Sequence, residues 1–149
     1  MIDVRFEKPA GLTAAWVKRW VGTTLLHEKV THHSLNVLVT GDRQIRRINK
    51  KFLDHDRATD VISFSSEESY LRGQGLIGDI VVSVDTARRV SGELGIPFKE
   101  ELARYLVHGT LHLLGYDDKK KKDFKKMHKR QEEIIMSLRA PKGRSNLKR

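Results

Sequence analysis

The sequence predicts an α+β fold, a single domain in which one mixed four-stranded sheet is packed by helices. Four short segments alternate apolar and polar residues or are rich in β-branched residues, and five longer segments have apolar residues at helical spacing. Their order is βαβαββααα, with the last three helices together. We expect residues 1–139 to form this domain around one core, and residues 140–149 to form a flexible basic tail.

The first half of the chain contains two strand–helix units. Residues 2–6 (IDVRF) and 34–40 (SLNVLVT) alternate apolar and polar side chains, which indicates strands. Residues 12–28 have the spacing of a helix. Asp42 is expected to cap the second helix. The core-facing residues of that second helix are predicted to be Ile45, Ile48 and Phe52.

The second half contains two strands and three helices. A polar loop, 53–60, precedes the strand 61–65, and the loop 66–75 separates it from the strand 76–84. Asp85 is expected to cap the next helix, which should end at Gly95. Pro97 fits the first turn of the helix that follows, and the last helix should cover about 119–138. The predicted apolar stripe of that last helix is Phe124, Met127, Ile134, Ile135 and Leu138.

Composition restricts the chemistry. The chain has no cysteine, so disulfides, thiolate zinc sites and iron–sulfur clusters are excluded, and a metal must be held by His, Asp or Glu. We expect neither a signal peptide nor a membrane span, and therefore a cytoplasmic protein.

The net charge of +10 lies in residues 119–149, which hold 13 Lys and Arg against 3 Asp and Glu. This charge suits a polyanion such as RNA, or a solvated helix and tail that aid solubility.

The segment YLVHGTLHLLGYDD, residues 105–118, carries the strongest chemical signal. His108 and His112 lie four apart on one helix face and can both direct a nitrogen at one metal ion. Gly115 allows the chain to turn, so that a following aspartate can complete three ligands, the number typical of catalytic zinc sites. The alternative is a pair of core histidines bonded to neighbours. Gly109 stands where HExxH peptidases have their glutamate base, which disfavours peptide cleavage.

Three motifs resemble one known family. HGTLHLLGYDD is similar to HGxLHLxGYDH, residues 48–65 (INKKFLDHDRATDVISFS) to LNxxYRxxDxPTDVLSFP, and residues 76–83 (LIGDIVVS) to LGDIxIS. These are signatures of the YbeY endoribonucleases, bacterial rRNA maturation factors, and they occur here in the family order. The resemblance implies an α+β fold whose metal helix is related to that of zinc metalloproteases, and one divalent metal ion, usually zinc. It also implies cleavage of single-stranded RNA in 16S rRNA 3′-end maturation and ribosome quality control, with the ribosome or its small subunit as a partner.

The resemblance assigns site residues and exposes two departures. It makes His108, His112 and Asp118 the metal ligands, although the family has histidine at position 118. At Leu53 the family has an arginine that is thought to contact phosphate, and Arg57 is the candidate substitute. Asp79 is either a carboxylate that holds a histidine ring or a cap of a helix or turn.

The mechanism suggested by these residues is phosphodiester cleavage by a metal-activated water, or by the RNA 2′-OH with the metal stabilising charge. We identify no general base. Lys119, Lys120, Lys121 and Lys122 follow the third ligand and are expected to hold the RNA backbone. We expect no aromatic cluster that stacks bases. The alternatives are a metallopeptidase-like hydrolase and a non-catalytic ribosome-associated RNA-binding factor with a structural metal. The histidines expected at the surface are His27, His32, His33, His55 and His128.

Overall fold

The computed structural model describes residues 1–31, 33–65 and 76–139, and in this part of the chain it contains one four-stranded sheet. The strands are β1 (Ile2–Phe6), β2 (Ser34–Thr40), β3 (Val61–Ser65) and β4 (Leu76–Ser83). Their order in the sheet is β1-β2-β4-β3. β1, β2 and β4 run parallel and β3 pairs antiparallel with β4, which confirms the predicted mixed sheet.

Helices cover both faces of the sheet unequally. They are α1 (Ala14–His27), α2 (Asp42–Leu53), α3 (Val84–Leu94), α4 (Phe98–Leu113) and α5 (Lys121–Arg139). α1 and α4 pack with the main core on one face, and α5 packs on the outer side of α4. α2 covers a smaller cluster on the opposite face. The α+β class is confirmed. The predicted loop 66–75 and tail 140–149 lie outside the described residues, so the domain limits stay predictions.

Asp42 and Asp85 are not the N-caps of α2 and α3, contrary to the prediction. Gly41 occupies the N-cap of α2, and its backbone lies against the carboxylate of Asp85, which accepts a hydrogen bond of 2.8 Å from Asp42 N. Ser83 caps α3 through Thr86 N. The Asp42 carboxylate instead accepts hydrogen bonds of 2.6 Å from the hydroxyls of Ser83 and Thr86. Each aspartate therefore supports the other helix, because the two helix starts lie side by side.

Two aromatic residues predicted to face the core are exposed. Phe52 is 61% exposed and Phe124 is 49% exposed, whereas Ile45, Met127 and Ile134 from the same two stripes are buried. Phe52 contacts Phe64 edge-on, with ring centroids 5.6 Å apart, on the sheet face that α2 covers. Within the described residues, no helix is both long and apolar enough to cross a membrane.

Candidate metal centre

α4 crosses the sheet closely at Gly109. Ser63 Oγ donates a hydrogen bond of 2.9 Å to the Gly109 carbonyl. A Cβ atom at this position would lie 2.9 Å from Ile80 Cγ2 and 3.0 Å from Val61 Cγ2, both methyls of β-branched residues. Position 109 therefore points at the sheet and has no room for a side chain. The glycine that replaces the peptidase glutamate is required by packing.

The turn after α4 brings a carboxylate back to the histidines. The helix ends at Leu113, and Gly115 adopts a φ of 103°, a conformation that favours glycine. Tyr116 N then donates to Leu111 O over 3.1 Å, which reverses the chain direction. As a result Asp118 faces the histidines, whereas the Asp117 carboxylate accepts a hydrogen bond of 3.0 Å from Lys119 N.

His108, His112 and Asp118 form one compact cluster, called the metal centre below. Asp118 Oδ2 lies 3.6 Å from His108 Nε2 and 3.4 Å from His112 Nε2, and one ligand atom of each residue lies within 4.8 Å of the others. Ligand atoms about 2.0–2.1 Å from a tetrahedral zinc ion lie about 3.3–3.4 Å from one another. The two nitrogen–oxygen distances thus fit a single ion with little rearrangement, and the three residues can hold a metal.

Outer hydrogen bonds orient both imidazoles. His108 Nδ1 lies 2.9 Å from Gln131 Oε1, and His112 Nδ1 lies 3.0 Å from the Tyr116 carbonyl oxygen. Both partners are acceptors, so each Nδ1 donates a proton to its partner, and each Nε2 faces Asp118, where a deprotonated nitrogen could bind a metal ion. Burial also lowers the pKa of His108, which favours the neutral ring that binds metal ions.

Gln131 is the functional residue that the sequence did not indicate. It is buried on α5, and its Nε2 donates a hydrogen bond of 3.1 Å to Glu132, which sets the amide oxygen towards His108. Arg104 from α4 donates two hydrogen bonds of 2.9 Å to Glu132 and lowers the pKa of that carboxyl. A sequence signal that could have indicated this role is the polar residue that interrupts the apolar stripe of α5 between Met127 and Ile134.

Removing the acceptor at position 131 tests this arrangement. Gln131→Met keeps the side-chain length but removes the amide oxygen that accepts the hydrogen bond from His108 Nδ1. Metal affinity should therefore fall about 10- to 100-fold, as for other partners of metal-bound histidines. Competition with a chromogenic chelator measures the affinity. Lys129→Met, on an exposed position of the same helix, is the matched control and should bind metal normally. Equal affinities for the two variants would contradict the role of Gln131.

Asp79 does not hold a histidine ring. Its carboxylate accepts a hydrogen bond of 2.9 Å from Asn36 Nδ2 on β2. Its neighbour Ile80 faces α4 at Gly109, and successive strand residues point to opposite faces, so Asp79 lies on the other side of the sheet. The expectation of a supporting carboxylate is corrected, and Gln131 and the Tyr116 carbonyl take that part.

The remaining candidates lie in different surroundings. Arg57 is exposed and lines a surface cavity with side chains of α2, among them Arg43 and Arg47, none of which belongs to the metal centre. The loop therefore does not fold Arg57 inward, and its contact with phosphate stays a prediction. The four lysines 119–122 are exposed. His55 and His128 are exposed as expected, while the described histidines His27 and His33 are half-buried and His32 lies outside the described residues.

Fold and site together define a small α+β protein with a His–His–Asp group that could hold a metal ion. The family model for endoribonuclease YbeY matches residues 5–139. Endoribonuclease YbeY of Aquifex aeolicus is 37% identical over 121 residues, 81% of this chain and 80% of that protein. The Persephonella marina protein of the same name is 34% identical over 131 residues, 87% of this chain and 86% of that protein.

A solved structure has a similar fold over most of the chain. The solution structure of TM1509 from Thermotoga maritima superposes with a TM-score of 0.60 at 26% identity, covering 93% of this chain and 92% of that one. The chain belongs to the endoribonuclease YbeY family, which confirms the resemblance carried by the three motifs. The relation of α4 to the metal helix of zinc metalloproteases stays a prediction.

Proposed function

We propose that this member of the endoribonuclease YbeY family cleaves single-stranded RNA internally at the metal centre. The proposal depends on the arrangement of three possible ligand atoms, in which Asp118 Oδ2 lies 3.4–3.6 Å from Nε2 of both histidines. The Nδ1 atom on the other side of each ring has its own hydrogen-bond partner. A buried core pair of histidines, the alternative reading, would direct its nitrogens at ordinary hydrogen-bond partners. Here each Nδ1 has such a partner, and the Nε2 atoms converge with a carboxylate.

The ion proposed for the metal centre is one divalent metal, zinc in the first instance, because two imidazoles and a carboxylate are ligands that zinc accepts. Such an ion, when bound, supplies Lewis-acid stabilisation of a phosphodiester under attack. The chain's own part is to favour the neutral ring of His108 by burial, to hold Nδ1 of both histidines against acceptors and to bring a negative charge through Asp118. That charge reduces the net positive charge of the site relative to a third histidine.

Lys119–Lys122, called the lysine rim below, are proposed to bind the RNA backbone. They follow Asp118 without a break, lead into α5 and are all exposed to solvent. Four exposed cations beside the ligands suit the phosphates on either side of a scissile bond. Binding of this kind is independent of sequence, so the choice of cleavage position would come from the structured RNA around it.

Replacing the lysine rim with alanine should flatten the salt dependence of binding. Each phosphate contact to a single strand contributes about 0.7 to the slope of log K against log salt, so loss of four contacts should reduce the slope by about 3. Fluorescence anisotropy with a labelled single strand at several salt concentrations measures it. Alanine at Lys18, Arg19 and Lys99, which are exposed on α1 and at the start of α4, is the control. An unchanged slope in the rim variant would remove these lysines from the RNA interface.

The proposed biological substrate is the 3′ region of precursor 16S rRNA, in the cytoplasm and in contact with the small ribosomal subunit, as the family resemblance implies. The test uses metal-loaded protein, a single-stranded RNA spanning this region and a duplex of the same sequence, with products resolved on a gel. The single strand should be cut internally and the duplex should stay intact. A loaded protein that cuts neither strand would refute the nuclease proposal.

The second candidate is a non-catalytic RNA-binding factor with a structural metal. Two observations favour it: Asp118 in place of the family histidine, and Leu53, half-exposed in place of an arginine. It predicts RNA binding and metal binding without cleavage, which the same gel distinguishes. A peptidase is disfavoured by the absence of space at Gly109.

A further inference from the structure

An aromatic pair lies on the surface beside the metal centre. The rings of Phe124 and His128, one turn apart on α5, are nearly parallel, with an interplanar angle of 13° and centroids 5.8 Å apart. Phe124 is 49% exposed, and His128 is exposed as well. The exposed phenyl ring contrasts with Met127, Ile134 and Ile135, apolar residues of the same helix that are buried.

This pair is physically continuous with the metal centre. Phe124, His128 and Gln131 are spaced four and three residues apart, so they follow one face of α5. Gln131 holds the ring of His108, and a cavity of about 160 Å³ is lined by His108, Gln131, Met127 and the aromatic pair. On this face of α5, Gln131 is buried and contacts the proposed metal ligand His108, whereas Phe124 and His128 are exposed.

Charge around the pair matches a nucleic acid strand. The lysine rim precedes Phe124 with Asp123 between them, and Lys125 and Lys129 adjoin the two aromatic residues in sequence. All of these lysines are exposed. Proteins that bind single strands combine such cations, which follow the phosphates, with aromatic rings on which bases stack. An exposed ring between lysines, opening on a cavity at a metal ligand, has the features of this kind of binding surface.

We propose that Phe124 and His128 form a platform on which one base of the RNA substrate stacks next to the metal centre. The inference rests on the proposed ribonuclease function and adds to it a substrate-positioning surface. Stacking requires an unpaired base, because a paired base in a duplex has both faces covered by its neighbours. The platform thus supplies a physical reason for a preference for single strands. The exposure of Phe124 corrects the sequence expectation that this residue lies in the core.

The test compares Phe124→Ala, Phe124→Trp and Met136→Ala. Met136 is the matched control, an apolar residue of α5 that is 52% exposed and more than three turns from Phe124. Phe124→Ala should weaken binding of a single strand about 5- to 150-fold, which corresponds to about 1–3 kcal/mol for one stacked base. Phe124→Trp and Met136→Ala should bind like the wild type. Anisotropy with a 2′-O-methyl strand measures binding without dependence on cleavage, and melting temperatures check that each variant is folded.

A second readout separates stacking from a structural effect. Abasic nucleotides are placed one at a time near the cleavage position of an RNA substrate. In the wild type, one position should raise KM by a factor similar to that of Phe124→Ala, and in the variant the same position should cost nothing further. If the wild type cuts RNA but every abasic position has equal effects in both proteins, the platform is refuted while the nuclease function stands. If the wild type binds the 2′-O-methyl strand but does not cut RNA, and Phe124→Ala weakens that binding, the nuclease proposal fails and the platform stands.

Discussion

His112→Ala is expected to release the metal ion and abolish RNA cleavage while the fold stays intact. The substitution removes one of three protein ligands, so metal affinity should fall by more than the roughly 100-fold that follows loss of an outer partner. A bound metal supplies several kcal/mol of charge stabilisation in such reactions, so the cleavage rate should fall by about 10³-fold or more. Metal content by mass spectrometry and a gel assay with single-stranded RNA measure the two effects.

The side chain of His112 lies at the end of α4 and is partly exposed, so alanine leaves the buried core of that helix unchanged. His55→Ala, at an exposed position outside the metal centre, is the matched control and should retain both metal and activity. Wild-type protein treated with a chelator should lose cleavage and regain it when zinc is added. Full cleavage by metal-free His112→Ala protein would refute the metal mechanism.

Gly109→Glu, which restores the glutamate of the HExxH peptidase pattern, is expected to prevent stable folding rather than create a peptidase. Even a Cβ atom at this position would come within 2.9–3.1 Å of Ile80, Val61 and Ser63. Overpacking costs about 1–3 kcal/mol, and a buried unpaired carboxylate adds several more, so the total approaches the 5–15 kcal/mol that stabilises a typical domain. Urea unfolding followed by circular dichroism measures the free energy of unfolding.

A glycine elsewhere in a helix provides the control for this effect. Gly92 lies within α3 with no atom within 4 Å of an added Cβ, so Gly92→Ala should stabilise the protein by about 0.5–1 kcal/mol through helix propensity. The same propensity gain partly offsets the clash in Gly109→Ala, which should be less destabilising than the glutamate variant. A folded Gly109→Glu protein of wild-type stability would show that α4 and the sheet can separate at this point.

Much of the metal centre was predictable from local sequence. Two histidines four apart on a helix must share a face, and a glycine followed by aspartates allows the chain to return to it. The choice of Asp118 over Asp117 came from the alignment of HGTLHLLGYDD with the family motif. The structure brings the same carboxylate to the histidines, because Gly115 reverses the chain and Asp117 bonds to Lys119 N.

The sequence does not predict the roles of residues that contact a different helix or strand. Asp79 was a candidate partner of a histidine, but the alternation of β4 places it on the far face of the sheet, beside Asn36. Periodicity does not give Gln131 a role at the site, because its contact with His108 joins residues 23 positions apart on two helices. Periodicity places Phe52 and Phe124 in the core but both are exposed, because an apolar stripe does not tell how far a neighbouring element covers it.

The sequence by itself determined the α+β class, the order of the elements and the pair of histidines, because these follow from periodicity and spacing within single elements. Only the tertiary structure decided which outer groups hold the imidazoles, why position 109 must be glycine and that Phe124 lies open beside the metal centre. Each of these is a contact between segments distant in the chain. Such contacts depend on how closely packed surfaces approach one another, and that distance is set by the side chains of both partners together.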